Sequence, residues 1–208
     1  MPKSLGVYCL VIFLTLTISW VYSFYGMSME HRTLIWAEHG LVESLAALFF
    51  GVAALLALLI RTRTYNVFSF LMLMASLREL DLHKYWTVDS ILKTRFYLSE
   101  TTPLVEKMIG GAVVILLLLS AIYLFKRIPL FVKNLWGLQV QSLAVFFALA
   151  CLVVAKKIDS MARLFPFLAD FHAQNNAFLI TIEEGLELAA ALLFIRACFP
   201  LSAKSKSN

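Results

Sequence analysis

The chain has 208 residues, of which 61% are hydrophobic and only 15% are charged. A water-soluble domain of this length cannot cover so much apolar surface, whereas a bilayer can, so the composition predicts an integral membrane protein. The formal charge of +5 comes without a basic stripe on an otherwise soluble module, which argues against nucleic-acid binding. Three cysteines scattered through apolar runs predict neither a disulfide framework nor a thiolate metal site.

Six stretches are long and apolar enough to form transmembrane helices, which need roughly 20 residues each. In chain order we predict spans at about residues 5–25, 35–60, 67–86, 105–125, 142–165 and 177–199. Together they form one all-α bundle that occupies the whole chain. Prolines support three of these boundaries, because proline suits a helix start and ends a helix it follows, at Pro103, Pro166 and Pro200.

Basic residues set the predicted orientation. With the N-terminus inside, one set of helix ends carries lysine and arginine without any acid, while the opposite set mixes both signs. The positive-inside tendency therefore places both termini in the cytoplasm, and we expect a bacterial inner membrane. The purely basic ends include Arg61, Arg63, Lys126, Arg127 and Arg196.

Every aspartate and glutamate, and all four histidines, fall in the outer half of the six-span arrangement. Several of them lie a turn or more inside their predicted helices, where an unpaired charge costs several kcal/mol. Acids outnumber bases in this layer, so some carboxylates must be protonated, hydrated or bound to a cation. We therefore predict a functional site at the outer ends of the second, third, fifth and sixth spans.

Helical spacing arranges these groups in pairs. His39 and Glu43 are four residues apart, and so are Glu79 and His83, so each pair shares one helix face. The second and third spans run in opposite directions, which brings both pairs to the same depth if the helices are neighbours. The sixth span repeats the spacing with Glu183 and Glu187.

These groups predict a membrane-embedded, metal-dependent enzyme of the hydrolase type. Imidazole and carboxylate ligands from several helices suit zinc first, with iron or manganese as alternatives. The predicted metal ligands are His39, Glu43, Glu79, His83, Asp159 and Glu187. The metal would activate a bound water, with Glu184 or Asp81 as general base. The predicted substrate is a lipid or lipid-linked head group, bound by Arg78, Lys93, Arg95 and Arg163.

Two other classes of protein could use the same acids. A cation- or proton-coupled transporter would carry its ion on them, although Leu188 to Phe194 offer no polar group inward of Glu187. A non-catalytic subunit of a membrane complex, or a homo-oligomer, would use the charges only to hold helices together. The enzyme differs from both because it requires the carboxylates and histidines to converge on one point.

Overall fold

A computed structural model of the chain describes residues 3–36, 40–80, 94–100, 102–165, 167, 171 and 175–199. Within these ranges the secondary structure is α-helical and contains no β-strand. In chain order the helices are α1 (Lys3–Gly26), α2 (Met29–Trp36), α3 (Leu41–Leu59), α4 (Arg63–Glu79), α5 (Thr94–Leu98), α6 (Leu104–Phe125), α7 (Ile128–Trp136), α8 (Val140–Asp159), α9 (Met161–Leu164) and α10 (Asn176–Cys198).

Four helical stretches in the described part of the chain are long and apolar enough to cross a membrane, namely Leu5–Gly26, Leu34–Leu59, Leu104–Phe125 and Val140–Asp159. They coincide with the first, second, fourth and fifth predicted spans, as expected for an all-α membrane protein. The remaining two long helices are α4, with 17 residues, and α10, with 23 residues including three glutamates. The third and sixth spans stay predictions.

One span boundary differs from the predicted one, because local hydrogen bonding outweighs hydropathy there. The fifth span was predicted to reach residue 165, but α8 ends at Asp159, where the Ser160 hydroxyl donates to the Lys156 carbonyl. The second predicted span, 35–60, matches the apolar stretch Leu34–Leu59, within which Gly40 has extended backbone and α3 begins only at Leu41. Serine and glycine both favour helix ends over helix interiors.

Four long helices pack side by side in the order α4, α3, α10, α8. Small residues line the touching faces, which lets the helix backbones approach closely. At this separation serine hydroxyls reach the neighbouring backbone, and Ser69 and Ser76 of α4 donate to the carbonyls of Ala54 and Ala47 at 2.7 and 2.8 Å. The buried alanines of these faces include Ala46, Ala53, Ala57, Ala189, Ala190 and Ala191.

Aromatic side chains fill the middle of this row. The rings of Phe50 and Phe68 lie 6.1 and 5.3 Å from the ring of Phe194. Helices α1 and α6 lie at the periphery and expose much of their apolar surface, as expected for helices that face lipid. The Tyr8 hydroxyl attaches α1 to the row by donating to the Leu192 carbonyl at 3.0 Å.

The row has an acidic end and a basic end. Helices α3 and α10 begin, and α4 and α8 finish, at the acidic end, which holds Glu43, Glu79, Asp159 and Glu183. The basic end is the opposite one, where Arg63 begins α4. Within the described residues, the acids of these helices therefore lie at one end together with Arg78 and Lys156, while the other end is purely basic, as the sequence predicts.

Candidate carboxylate site at the acidic end

Four glutamates from three helices meet at the acidic end, and we call them the four-carboxyl cluster: Glu43 of α3, Glu79 of α4, and Glu184 and Glu187 of α10. The charges of Glu43 and Glu187 both act on Glu79 and on Glu184. Contacts of α3 with α4 and with α10 bring the four groups together, which confirms that the second, third and sixth predicted helices are neighbours.

Packing between α3 and α4 fixes the depth of the first two carboxyls. Glu43 lies in the first turn of α3, where the helix dipole favours a negative charge. Glu79 is the last residue of α4, about one turn beyond Ser76. The hydrogen bond from Ser76 to the carbonyl of Ala47 holds this turn of α4 against the first turns of α3.

Arg78 lies at the rim of the cluster and pairs with two of its members. Its guanidinium Nη2 is 3.3 Å from Glu187 Oε1, and its Nε is 3.4 Å from Glu79 Oε1. The arginine side chain is 58% exposed, whereas the side chains of Glu79 and Glu187 are only 8% and 7% exposed. The cation therefore reaches inward from the surface, and the sequence-predicted phosphate ligand Arg78 is engaged by carboxylates.

Glu79 and Glu187 share Arg78 as a cationic partner, because the same guanidinium contacts one carboxyl oxygen of each. Two carboxylates that close to one cation repel each other, and the guanidinium between them offsets part of that repulsion. Arg78 therefore compensates part of the charge of this pair.

Glu184 has a different environment. It is buried, at 8% exposure, and its Oε2 has no hydrogen-bonding partner among the described residues. Four other carboxyl groups act on it, those of Glu187, Glu43, Glu79 and Glu183. This oxygen is therefore free to accept a proton or a cation from within the cluster.

Trp36 of α2 forms a wall of the site beside Glu184. Its ring lies against Gly185, where a Cβ would stand 3.9 Å from the Trp36 ring. The indole N–H donates to the Ser23 hydroxyl at 2.8 Å, which connects α1 to this wall. The Trp36 ring therefore covers the α10 backbone next to Glu184.

Asp159, a predicted metal ligand, lies at the side of the cluster. Its carboxylate accepts a hydrogen bond from Lys156 of its own helix and acts on Glu183 of α10. Glu183 is absent from the predicted site, although it lies one turn from Glu187 and directly before Glu184 in the sequence. Arg163, the predicted phosphate ligand of this region, is exposed on α9.

The remaining predicted site residues are His39, Asp81, His83 and Lys93, which lie outside the described residues, and Arg95, whose side chain is not described. Their roles stay predictions. Within the described ranges, no three histidine, cysteine, aspartate or glutamate side chains are grouped so that they could hold a metal ion.

Fold and site together define an α-helical membrane protein with a buried carboxylate cluster at one end of its helix row. Comparison with protein-family models, with curated proteins and with solved structures finds no match for this chain.

Proposed function

We propose that this protein is a membrane-embedded, metal-dependent enzyme of the hydrolase type, whose site is the four-carboxyl cluster. The observation that carries the proposal is the buried carboxyl of Glu184, whose Oε2 has no hydrogen-bonding partner among the described residues and which lies among four other carboxyls. Buried carboxyls without compensation are costly in a membrane, and a bound cation removes that cost.

The proposed ligands are Glu43, Glu79 and Glu187, whose carboxyls would have to move closer together around the ion, because no three such side chains are grouped for metal binding among the described residues. Glu79 and Glu187 would then hold the ion in place of the contacts that each makes with the exposed Arg78 guanidinium. Two histidines fit this site by their spacing in the sequence, His39 four residues before Glu43 and His83 four residues after Glu79. Carboxylate and imidazole together suit zinc, iron or manganese.

Glu184 is the proposed general base, because its unpartnered Oε2 lies among the ligands. A bound divalent metal lowers the pKa of a coordinated water toward neutrality. Glu184 would hold a proton taken from the attacking water and pass it to the leaving group of the substrate. Asp81 stays the alternative base predicted from the sequence.

The proposed substrate is a lipid or lipid-linked head group. We infer that α4 and α10 also cross the membrane, which gives six spans with both termini in the cytoplasm of a bacterial cell. The acidic end then lies at the extracytoplasmic interface, where head groups are. Arg78, Arg163, Lys93 and Arg95 are the proposed phosphate-binding groups.

The proposal is tested on protein in nanodiscs made from a bacterial polar lipid extract, with products analysed by mass spectrometry. We expect a lipid product that disappears with a chelator and returns with zinc, manganese or iron. Glu184→Gln should keep the metal and lose about 10²- to 10⁴-fold in rate, the usual contribution of a general base. The matched control is Glu106→Gln, a half-buried carboxyl of α6 outside the cluster.

A second candidate function is proton-coupled transport, and the pair of buried carboxyls of Glu79 and Glu187, which share Arg78, favours it. Two buried carboxyls on two helices form a group that could take up and release a proton. Proton uptake into proteoliposomes, absent in Glu79→Gln and independent of chelators, would select this candidate. Metal-loaded wild-type protein that alters no lipid would reject the enzyme while leaving the cation site intact.

A further inference from the structure

The basic end of the helix row contains a cavity of about 500 Å³. It lies between the first turns of α4 and α8, the last turns of α6 and α10, and α7. This volume is within the range of roughly 300–1,000 Å³ that is typical of small-molecule sites. The cavity is at the opposite end of the row from the four-carboxyl cluster and does not depend on the function proposed there.

The walls of the cavity are amphipathic. Apolar side chains such as Phe68, Leu149 and Phe131 line it, whereas amide groups are supplied by Asn134 and Gln139. Because helix termini of the row surround it, the cavity lies where the hydrocarbon core of a bilayer meets the head-group layer. An occupant with one apolar and one polar end matches these walls.

Two arginines meet beside this cavity across one aromatic ring. The guanidinium carbons of Arg63 and Arg127 lie 5.3 and 5.4 Å from the centre of the Tyr123 ring. Arg127 and Thr64 line the cavity, and the Thr64 hydroxyl is hydrogen-bonded to the Tyr123 hydroxyl at 2.9 Å. Two like charges are thus brought together on a ring that attracts each of them.

The sequence supplies no carboxylate for these arginines at this end. No aspartate or glutamate occurs between Glu43 and Glu79, between Glu106 and Asp159, or after Glu187. Those three intervals contain every residue that lines the cavity. An anion bound at this cavity would therefore come from outside the described part of the chain.

We propose that this cavity binds an anionic phospholipid. Its phosphate would lie between Arg63 and Arg127, its glycerol and head group against the amides, and part of one acyl chain along the apolar wall. A free phosphate or a soluble anion would use the arginines and leave the apolar wall empty, so the chemistry of the whole cavity favours a lipid.

Native mass spectrometry of detergent-purified protein tests this proposal, with phosphatidylglycerol and phosphatidylcholine of identical acyl chains as probes. Wild type should retain phosphatidylglycerol preferentially. Arg63→Ala/Arg127→Ala should lose that preference by about fivefold for each arginine removed, as for basic residues near anionic lipid. Leu149→Trp, which narrows the apolar wall at an exposed position, should lower the retention of both lipids.

The matched control is Lys126→Ala/Lys133→Ala, which removes two exposed charges from the same end but none that lines this cavity. It should keep the preference. Equal binding of the two lipids by wild type overturns the proposal, and so does an equal loss in the control, which would assign the effect to the general charge of this face. Displacement of the lipid by inorganic phosphate alone would overturn the lipid in favour of a soluble anion.

Discussion

Arg78 of α4 and Glu187 of α10 are in contact at 3.3 Å although they are 109 positions apart in the chain. The contact joins two helices that are not direct neighbours, since α3 packs between them in the row. At the acidic end, the two side chains therefore bridge α4 and α10 across the start of α3. The same guanidinium also neutralises part of the Glu79–Glu187 pair, so it acts on both stability and site charge.

Replacing Arg78 by glutamine should lower the free energy of unfolding by about 1–2 kcal/mol. This is less than the ~3–5 kcal/mol expected for a fully buried pair, because more than half of the Arg78 side chain is exposed. Unfolding of the detergent-solubilised protein by heat or by sodium dodecyl sulfate measures the effect. Glu187→Gln in the Arg78→Gln background should restore most of the loss, and simple additivity of the two changes would contradict the pairing.

Glu184→Gln should raise the stability of the metal-free protein by about 1–3 kcal/mol. The substitution keeps the shape of the side chain and removes the cost of burying an ionisable carboxyl among other carboxyls. The measurement is the unfolding midpoint after chelation, compared with wild type and with Glu106→Gln. A fall in stability would mean that a cation outside the described residues already compensates Glu184.

Ala47→Leu should lower stability by about 1–3 kcal/mol and reduce metal retention at the same time. Ala47 is fully buried and its carbonyl accepts the Ser76 hydrogen bond, so a larger side chain forces α3 and α4 apart. Glu43 and Glu79, one turn away on either helix, would then separate. The neighbouring Leu48 is 58% exposed, and Leu48→Ala should change neither quantity.

Cysteine labelling on intact cells tests the inferred six-span topology. A membrane-impermeant maleimide should label Leu80→Cys and Asn176→Cys directly, because these exposed positions flank α4 and α10 at the acidic end. Arg63→Cys and Phe199→Cys, at the other ends of the same helices, should react only after permeabilisation. Labelling of both flanks of either helix from one side would exclude that helix as a span. Wild type, with Cys198 buried and Cys9 and Cys151 half-buried, is the background control.

Hydropathy alone predicts much of the fold. The fourth predicted span, 105–125, matches α6 at Leu104–Phe125, because one uninterrupted apolar run needs no tertiary information. The end of α8 at Asp159 was missed, since the apolar residues after Ser160 continue the pattern that hydropathy detects. A helix end set by a serine hydroxyl and a backbone carbonyl is weakly marked in composition.

The sequence predicts most of the residues of the candidate site, but only part of how they are arranged in space. The surplus of acids and the spacing of Glu43 and Glu79 indicate a common layer, and the structure brings these two together with Glu184 and Glu187. The partner of Arg78 was not predictable, because the rotation of α10 about its axis decides which glutamate faces α4. The pair of arginines at Tyr123 was also missed, because the basic helix ends indicate an orientation in the membrane and do not show which side chains meet.

The central claim, a cation site in the four-carboxyl cluster, is tested most directly by elemental mass spectrometry of the purified protein. Wild type and Glu106→Gln should contain near-stoichiometric zinc, manganese or iron, and Glu43→Gln/Glu79→Gln should contain none while remaining folded. If the wild-type protein contains no metal even when these metals are supplied during growth and purification, the claim is contradicted. Equal metal in the double variant would contradict it as well, because the ion would then be bound elsewhere.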